Sequence, residues 1–285
     1  MADVAIVTDS TAGLPRALTE RLGIEVVSLY YDLGGRGWAR ESDLNGDYNS
    51  FYADLAASDK PAMTSPPTSE DFAATYQRLV ESHRSIVAVC IGSAMSETCM
   101  IARRVAEDFG GDRVAVIDSV GTGGHLGLQA LAAARAAAGG ADLEGVIERV
   151  RQARNEVKGW VLVETLEYLR RSDRVGTAAA WIGATLDIKP ILTIESELKT
   201  AERVRTRRRG VERLIELMRQ RRSLGADRWF VQHVHAPEDA QMLVERLGAV
   251  FDAAPEFVSE PGPVIGAHIG PGALLVGALP SAALR

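Results

Sequence analysis

Short runs of apolar residues alternate along the first half of the chain with stretches in which apolar positions recur every three or four residues. Val4-Ala5-Ile6-Val7, Ile86-Val87-Ala88-Val89-Cys90-Ile91 and Val114-Ala115-Val116-Ile117 are close to continuously apolar. Strands covered on both faces carry such runs, so these three are the expected parallel core strands. The intervening stretches read as helices, which predicts an N-terminal α/β domain built on a doubly wound, mostly parallel sheet. Residues 123–138 predict a small-residue helix ended by Gly139-Gly140, and residues 143–157 a second, more charged one. Val26-Val27-Ser28-Leu29-Tyr30-Tyr31 with the Gly34-Gly35 turn predicts a single extended, hairpin-like excursion.

Beyond residue 157 the pattern changes. Trp160-Val161-Leu162-Val163, Ile191-Leu192-Thr193-Ile194 and Trp229-Phe230-Val231-Gln232-His233-Val234-His235 are apolar runs separated by a short helix and an arginine-rich segment. This predicts an α+β domain with a mixed or antiparallel sheet, so residues 1–157 and 158–285 are expected to form two domains. A length of 285 residues suits two domains better than one.

Composition narrows the class. With 46% hydrophobic and 25% charged residues the chain reads as globular, and a formal charge of −6 argues against general nucleic-acid binding. Two cysteines, Cys90 and Cys99, in apolar or helical contexts fit a reducing cytosol. The first residues lack a basic, apolar leader, and no stretch reaches roughly 18 uncharged apolar residues. A cytoplasmic protein with no membrane span is expected, which leaves room for a transient membrane contact.

Chemistry concentrates at the strand ends. Thr8-Asp9-Ser10-Thr11, Gly92-Ser93-Ala94-Met95-Ser96 and Asp118-Ser119 follow the three core strands, and ligands of open α/β sheets bind beyond such ends. These clusters are expected to converge on one edge. Thr64-Ser65-Pro66-Pro67-Thr68-Ser69 precedes a helical pattern, where Thr68 or Ser69 caps the helix and the hydroxyl-lined entrance suits an anion. Gly121-Thr122-Gly123-Gly124-His125-Leu126-Gly127 opens a helix after a strand, but Leu126 stands where a dinucleotide fingerprint needs glycine. Tight strand-to-helix packing is the better account of those glycines. No Walker A, G-x-S-x-G or H-E-x-x-H sequence occurs.

His233 and His235 would share one face of a strand, yet no carboxylate or cysteine stands at ligand spacing, so no metal is expected. Arg203, Arg205, Arg207, Arg208, Arg209 and Arg213 form a cationic run that reads as a solvated face or as a contact for an anionic partner. Four glycines and two prolines surround His268, which predicts backbone approaching a ligand closely around a functional imidazole.

Taken in order, Val7-Thr8-Asp9-Ser10-Thr11-Ala12-Gly13-Leu14-Pro15, Thr64-Ser65-Pro66-Pro67-Thr68, Gly92-Ser93-Ala94-Met95-Ser96-Glu97-Thr98, Val116-Ile117-Asp118-Ser119, Thr165-Leu166-Glu167-Tyr168-Leu169, Ile188-Lys189-Pro190-Ile191-Leu192 and Ile265-Gly266-Ala267-His268-Ile269-Gly270-Pro271-Gly272 resemble the DegV family of fatty-acid-binding proteins over nearly the whole chain. The resemblance implies a long-chain fatty acid held between two α/β domains, no other cofactor, and no catalysis by the chain alone. It also implies the acyl-carrying role in a bacterial fatty acid kinase of phospholipid metabolism, whose separate ATP-binding subunit phosphorylates the carboxylate. Carried over by motif, Thr64 and Ser96 would hold the carboxylate, His268 and Arg174 would flank it, and Ser65 and Ser93 are the alternatives one residue or one turn away. Arg205 would contact the kinase or its phosphate. The chain departs from the family pattern at Glu97, which replaces a glycine and brings a negative charge near that carboxylate, and at Ser172-Asp173 before Arg174.

Physics fits such a ligand. Burial contributes roughly 0.8 kcal/mol per methylene, so a tail of about fourteen brings on the order of 11 kcal/mol before costs. The desolvated carboxylate needs hydrogen bonds to replace lost water. Two other readings are an acyl-chain sensor without a kinase and a self-sufficient enzyme on a carboxylate or small phosphate with His268 as base.

Overall fold

The computed structural model describes residues 3–58, 60–110, 112–172, 188–194 and 198–285. Its first sheet has the order β2-β1-β6-β7, with β1 (Val4–Asp9), β2 (Ile24–Val27), β6 (Ser85–Cys90) and β7 (Val114–Asp118) all parallel. Every residue of β1 and β6 is buried, the two-sided covering that their unbroken apolar runs require. Helices α1 (Arg16–Leu22), α3 (Ser69–Val80), α4 (Thr98–Glu107), α5 (Gly124–Ala138) and α6 (Leu143–Glu156) connect and cover these strands.

The segment expected to be one excursion is split. β2 joins the parallel sheet, while β3 (Tyr30–Leu33) pairs with β4 (Ala39–Arg40) and β5 (Ala62–Ser65) in a separate antiparallel sheet. The break falls at Ser28-Leu29, where Leu29 N donates to Ser10 Oγ (3.0 Å) and Ser42 N donates to Ser28 Oγ (3.0 Å). A side chain from elsewhere, Ser10, therefore satisfies backbone that local pattern assigns to a continuous ladder, and the side chain of Ser28 is taken up by the backbone of Ser42. The short helix α2 (Asn49–Ala57) follows β4, and Phe51 on it packs edge-on against Tyr31, centroids 5.2 Å apart.

The second sheet is mixed, in the order β10-β9-β8-β13-β11-β12. Its strands are β8 (Lys158–Leu162), β9 (Lys189–Ile194), β10 (Leu198–Val204), β11 (Arg228–His233), β12 (Phe257–Ser259) and β13 (Leu274–Leu279). All neighbours pair antiparallel except β11 and β12. Around it lie α7 (Glu167–Arg171), α8 (Arg207–Ser223), α9 (Pro237–Phe251) and α10 (Pro263–Ile269). β11 stops at His233 and His235 takes a left-handed φ of 49°, so the two histidines do not share a strand face as the sequence suggested.

Helix α5 lies between the sheets, touching β1 and β6 on one side and β8, β11 and β13 on the other. Twelve of its fifteen residues are buried, which explains its small-residue composition. A Cβ on Gly124 would come within 2.2 Å of the Phe230 ring, so the glycine serves the close packing expected of it.

Part of the arginine run is neutralised. Arg207 pairs with Asp239 and Glu164, and Arg213 binds Glu202 and Glu216. Arg205, Arg208 and Arg209 are exposed. No helix among the described residues is long and apolar enough to cross a membrane.

Candidate ligand site

A cavity of about 440 Å³ opens between the two sheets. Its apolar wall comes from both halves of the chain: Leu29 and Ile91 on one side, Val161, Ile265 and Leu275 on the other. Its polar wall contains Thr64, Ser65, Ser93, Ser96 and His268, so five residues singled out from sequence face one space. That volume falls in the range of small-molecule sites, roughly 300–1,000 Å³.

Thr64 reaches the cavity from β5, where it stands opposite Tyr31. Its Oγ1 lies 2.9 Å from His268 Nε2, a hydrogen bond across 204 positions of sequence. With Nε2 as donor, Thr64 keeps its own hydroxyl hydrogen for a ligand oxygen. The hydroxyls before the prolines are thus separated in role from those after them. Thr68 is the N-cap of α3: Asp71 N donates to Thr68 Oγ1 (3.2 Å) and Thr68 N donates to Asp71 Oδ2 (2.9 Å), a capping box. Tyr30 Oη and Arg40 also bind the Asp71 carboxylate. The helix entrance expected to capture an anion already holds one of its own.

The imidazole is presented by α10, which packs against α2, β5 and α7. Glu41 Oε1 accepts from Val264 N (2.9 Å) at the start of that helix. The glycines around His268 do not make room for a ligand, as had been expected. A Cβ on Gly262 would meet the Glu41 carboxyl at 2.3 Å, and one on Gly266 would meet Tyr52 Oη at 2.2 Å. They admit protein side chains beneath the helix that holds His268 in position.

Ser96 sits where the loop after β6 turns into α4. Its Oγ lies 2.8 Å from Thr98 Oγ1 and accepts from Thr98 N at 3.3 Å, so it satisfies an orphan amide of the helix start. Ser93 is exposed at the cavity and its backbone N donates to Asp118 Oδ2 (3.2 Å). Ser65 Oγ donates to Pro66 O (3.3 Å). Glu97 lines the cavity but is exposed, which puts its charge where water screens it. Arg174 and Asp173 lie outside the described residues. Arg205, on the turn between β10 and α8, does not line the cavity.

The three strand ends meet on one edge, as expected, but most of their polar side chains bind one another's strands and loops instead of facing the cavity. Thr8 Oγ1 donates to Val89 O, and Asp9 Oδ1 accepts from Thr11 N (3.0 Å) and Thr11 Oγ1 (2.5 Å). Asp9 Oδ2 accepts from Ile91 N (2.7 Å), and Ser119 Oγ donates to Gly121 O (2.9 Å). These hydroxyls hold loops together, and only the Ser93–Ser96 loop and Thr122 reach the cavity.

A second cavity, of about 580 Å³, contains Asp9, Ser10 and Glu41. Burial pushes the Asp9 carboxyl up to about 6, against hydrogen bonds from Thr11 and Ile91. Burial likewise pushes Glu41 to about 7, opposed by hydrogen bonds from Ser10 and Val264 and reinforced by Asp9. Sequence reasoning passed over Glu41 because nothing local marks it as buried. Among the described residues no group of three or more His, Cys, Asp and Glu is arranged to hold a metal ion.

Residues 3–281 match the family model described as "Uncharacterised protein, DegV family". A DegV domain-containing protein of Streptomyces coelicolor is 36% identical over 277 residues, covering 95% of this chain and 96% of that protein. The structure of DegV from Bacillus subtilis, described as a fatty acid binding protein, is 29% identical with a TM-score of 0.87 and covers 98% of this chain and 100% of that one. A structure from Thermus thermophilus, described as fatty acid binding of a DegV family protein, is 28% identical with a TM-score of 0.85, over 98% and 99% of the two chains.

Proposed function

The chain belongs to the DegV family, and we propose that it binds a long-chain fatty acid in the cavity between its sheets and presents the carboxylate to a separate ATP-binding kinase subunit. One observation carries the reading: a cavity with aliphatic walls from both halves of the chain also holds the hydrogen-bonded pair Thr64–His268 with Ser93 and Ser96. A fatty acid has the same division into a long apolar body and one polar end. The two related structures described as fatty-acid-binding support the same ligand class.

In this reading residues 1–157 and 158–285 are the two units that enclose the acyl chain. Thr64 and Ser96 donate to the carboxylate, His268 orients Thr64, and Ser65, Ser93 and Arg174 complete the set. Neutral donors suffice for a carboxylate when several converge, because each replaces a lost water. Held there, one oxygen is positioned to attack a nucleotide phosphate brought by another protein, and the chemistry reduces to positioning and charge stabilisation by that partner. Arg205, exposed with Arg208 and Arg209, is the contact for the kinase or for transferred phosphate.

Mass spectrometry of an organic extract of the purified protein tests the ligand. A stoichiometric long-chain fatty acid is expected, and a protein that neither carries nor takes up one refutes the reading. Reconstitution with an ATP-binding fatty acid kinase subunit tests the partner. Acyl phosphate is expected only with both proteins and ATP present, and bound fatty acid without acyl phosphate favours a sensor instead.

A further inference from the structure

Among the described residues five hydroxyl side chains line the cavity, and four of them, Thr64, Ser65, Ser93 and Ser96, belong to the set above. The fifth is Thr122, on the loop between β7 and α5. It is 7% exposed, and its Oγ1 is sealed from water without a hydrogen-bond partner. Buried hydroxyls are normally satisfied, because an orphan loses its bonds to water and gains nothing.

The rest of the loop shows that Thr122 is not needed to hold it. Asp118 Oδ1 accepts from Val120 N (2.8 Å), and Ser119 Oγ donates to Gly121 O (2.9 Å). The residues on either side of Thr122 are anchored through backbone: Gly92 N donates to Gly121 O (2.8 Å) and Gly123 N donates to Thr11 O (2.9 Å). A valine of the same shape would serve the packing and carry no orphan oxygen. The bonds Gly92–Gly121 and Ser93–Asp118 also lash this loop to the one bearing Ser93 and Ser96. The two loops leave the ends of adjacent parallel strands, β6 and β7, where such sheets bind their ligands.

We propose that Thr122 is a further head-group residue of the fatty-acid site: its hydroxyl turns into the cavity and donates to the bound carboxylate. The proposal rests on the fatty-acid reading. Staggered χ1 wells exchange Oγ1 with the methyl group of threonine, so the movement this role requires of the sealed oxygen is a single rotamer step. Ligand binding then relieves a penalty that the free protein carries.

Thr122→Val, Thr122→Ser and the wild type are compared by thermal melting without ligand and by titration with palmitate and with methyl palmitate. Without ligand, Thr122→Val is expected to melt at or above the wild-type temperature, since it removes only an unsatisfied group. Its palmitate affinity falls about tenfold or more, the usual weight of a hydrogen bond to a charged group. Its affinity for the uncharged ester changes little, and Thr122→Ser binds palmitate close to the wild type. A ligand-free Thr122→Val that is destabilised or does not fold overturns the proposal, because the hydroxyl then has a structural partner. Undiminished palmitate binding by a stable Thr122→Val overturns it as well. A wild type with no affinity for palmitate fails differently: it removes the fatty-acid reading itself, and the head-group role with it.

Discussion

Replacing Glu41 by glutamine should flatten the dependence of stability on pH. Glu41 is 3% exposed, and burial raises its carboxyl from the ordinary 4.5 to about 7. The folded protein therefore keeps this proton to higher pH than the unfolded chain does. Below 4.5 both states are protonated and the residue is neutral to stability. Between 4.5 and about 7 the unfolded chain ionises first, so stability falls as pH rises, and above about 7 the loss is complete. At about 1.4 kcal/mol per pH unit the whole loss is roughly 3 kcal/mol, a large share of a typical folding free energy.

Glutamine has no proton to lose, and its amide oxygen still accepts from Val264 N. Its NH₂ replaces the orphan Oε2 and adds a constant offset of about 1–3 kcal/mol at most, independent of pH. Chemical denaturation of both proteins at about pH 5.5 and about pH 8 measures the difference. Glu41→Gln should gain roughly 2 kcal/mol on the wild type between those values. Asp9, raised to about 6, makes the wild type decline further, but it is present in both proteins, and only its charge interaction with Glu41 differs between them. Parallel curves for the two proteins would refute the assignment of a raised, buried carboxyl to Glu41.

Ser96→Ala should reduce the fatty acid retained through purification while the protein stays folded, at a stability cost near 1 kcal/mol from the lost bond to Thr98 N. Unchanged retention would move the head-group contact to Ser93. Gly266→Ala drives a Cβ to within 2.2 Å of the buried Tyr52 Oη. Overpacking of this kind costs about 1–3 kcal/mol, and displacement of α10 should carry His268 away from Thr64, so melting temperature and fatty-acid affinity fall together. Thr68→Ala removes a cap worth about 1 kcal/mol and should leave fatty-acid binding unchanged, because the capping oxygen faces α3. Loss of binding in that variant would place Thr68 at the ligand instead.

What the chain alone determined follows from short-range rules. Continuous apolar runs specified β1 and β6 because a strand covered on both faces admits nothing else, and the same kind of run marked β7, which is half-buried at the sheet edge. Thr68 with Asp71 three residues on specified the start of α3, since both capping partners lie within one turn. The antiparallel character of the second half and the hairpin at Gly34-Gly35 were legible for similar reasons, and Thr64, Ser96 and His268 could be named through ordered motifs. Tertiary structure decided which polar atom meets which. β2 stops at Val27, where Ser10 takes the next-but-one backbone N–H, of Leu29, and Ser42 N donates to Ser28, and that encounter has no local signature. Glu41 looks like any surface acid until α10 is laid on it. The glycines around His268 read as space for a ligand and turned out to be space for Glu41 and Tyr52. Of the hydroxyls gathered at three strand ends, Thr8 closes on Val89 of the neighbouring strand and Thr11 and Ser119 on their own loops, while Ser96 and Thr122 are the residues that line the cavity with Thr64. A hydroxyl's partner is set by surfaces that meet across hundreds of residues, and the sequence records the hydroxyl without recording the surface opposite it.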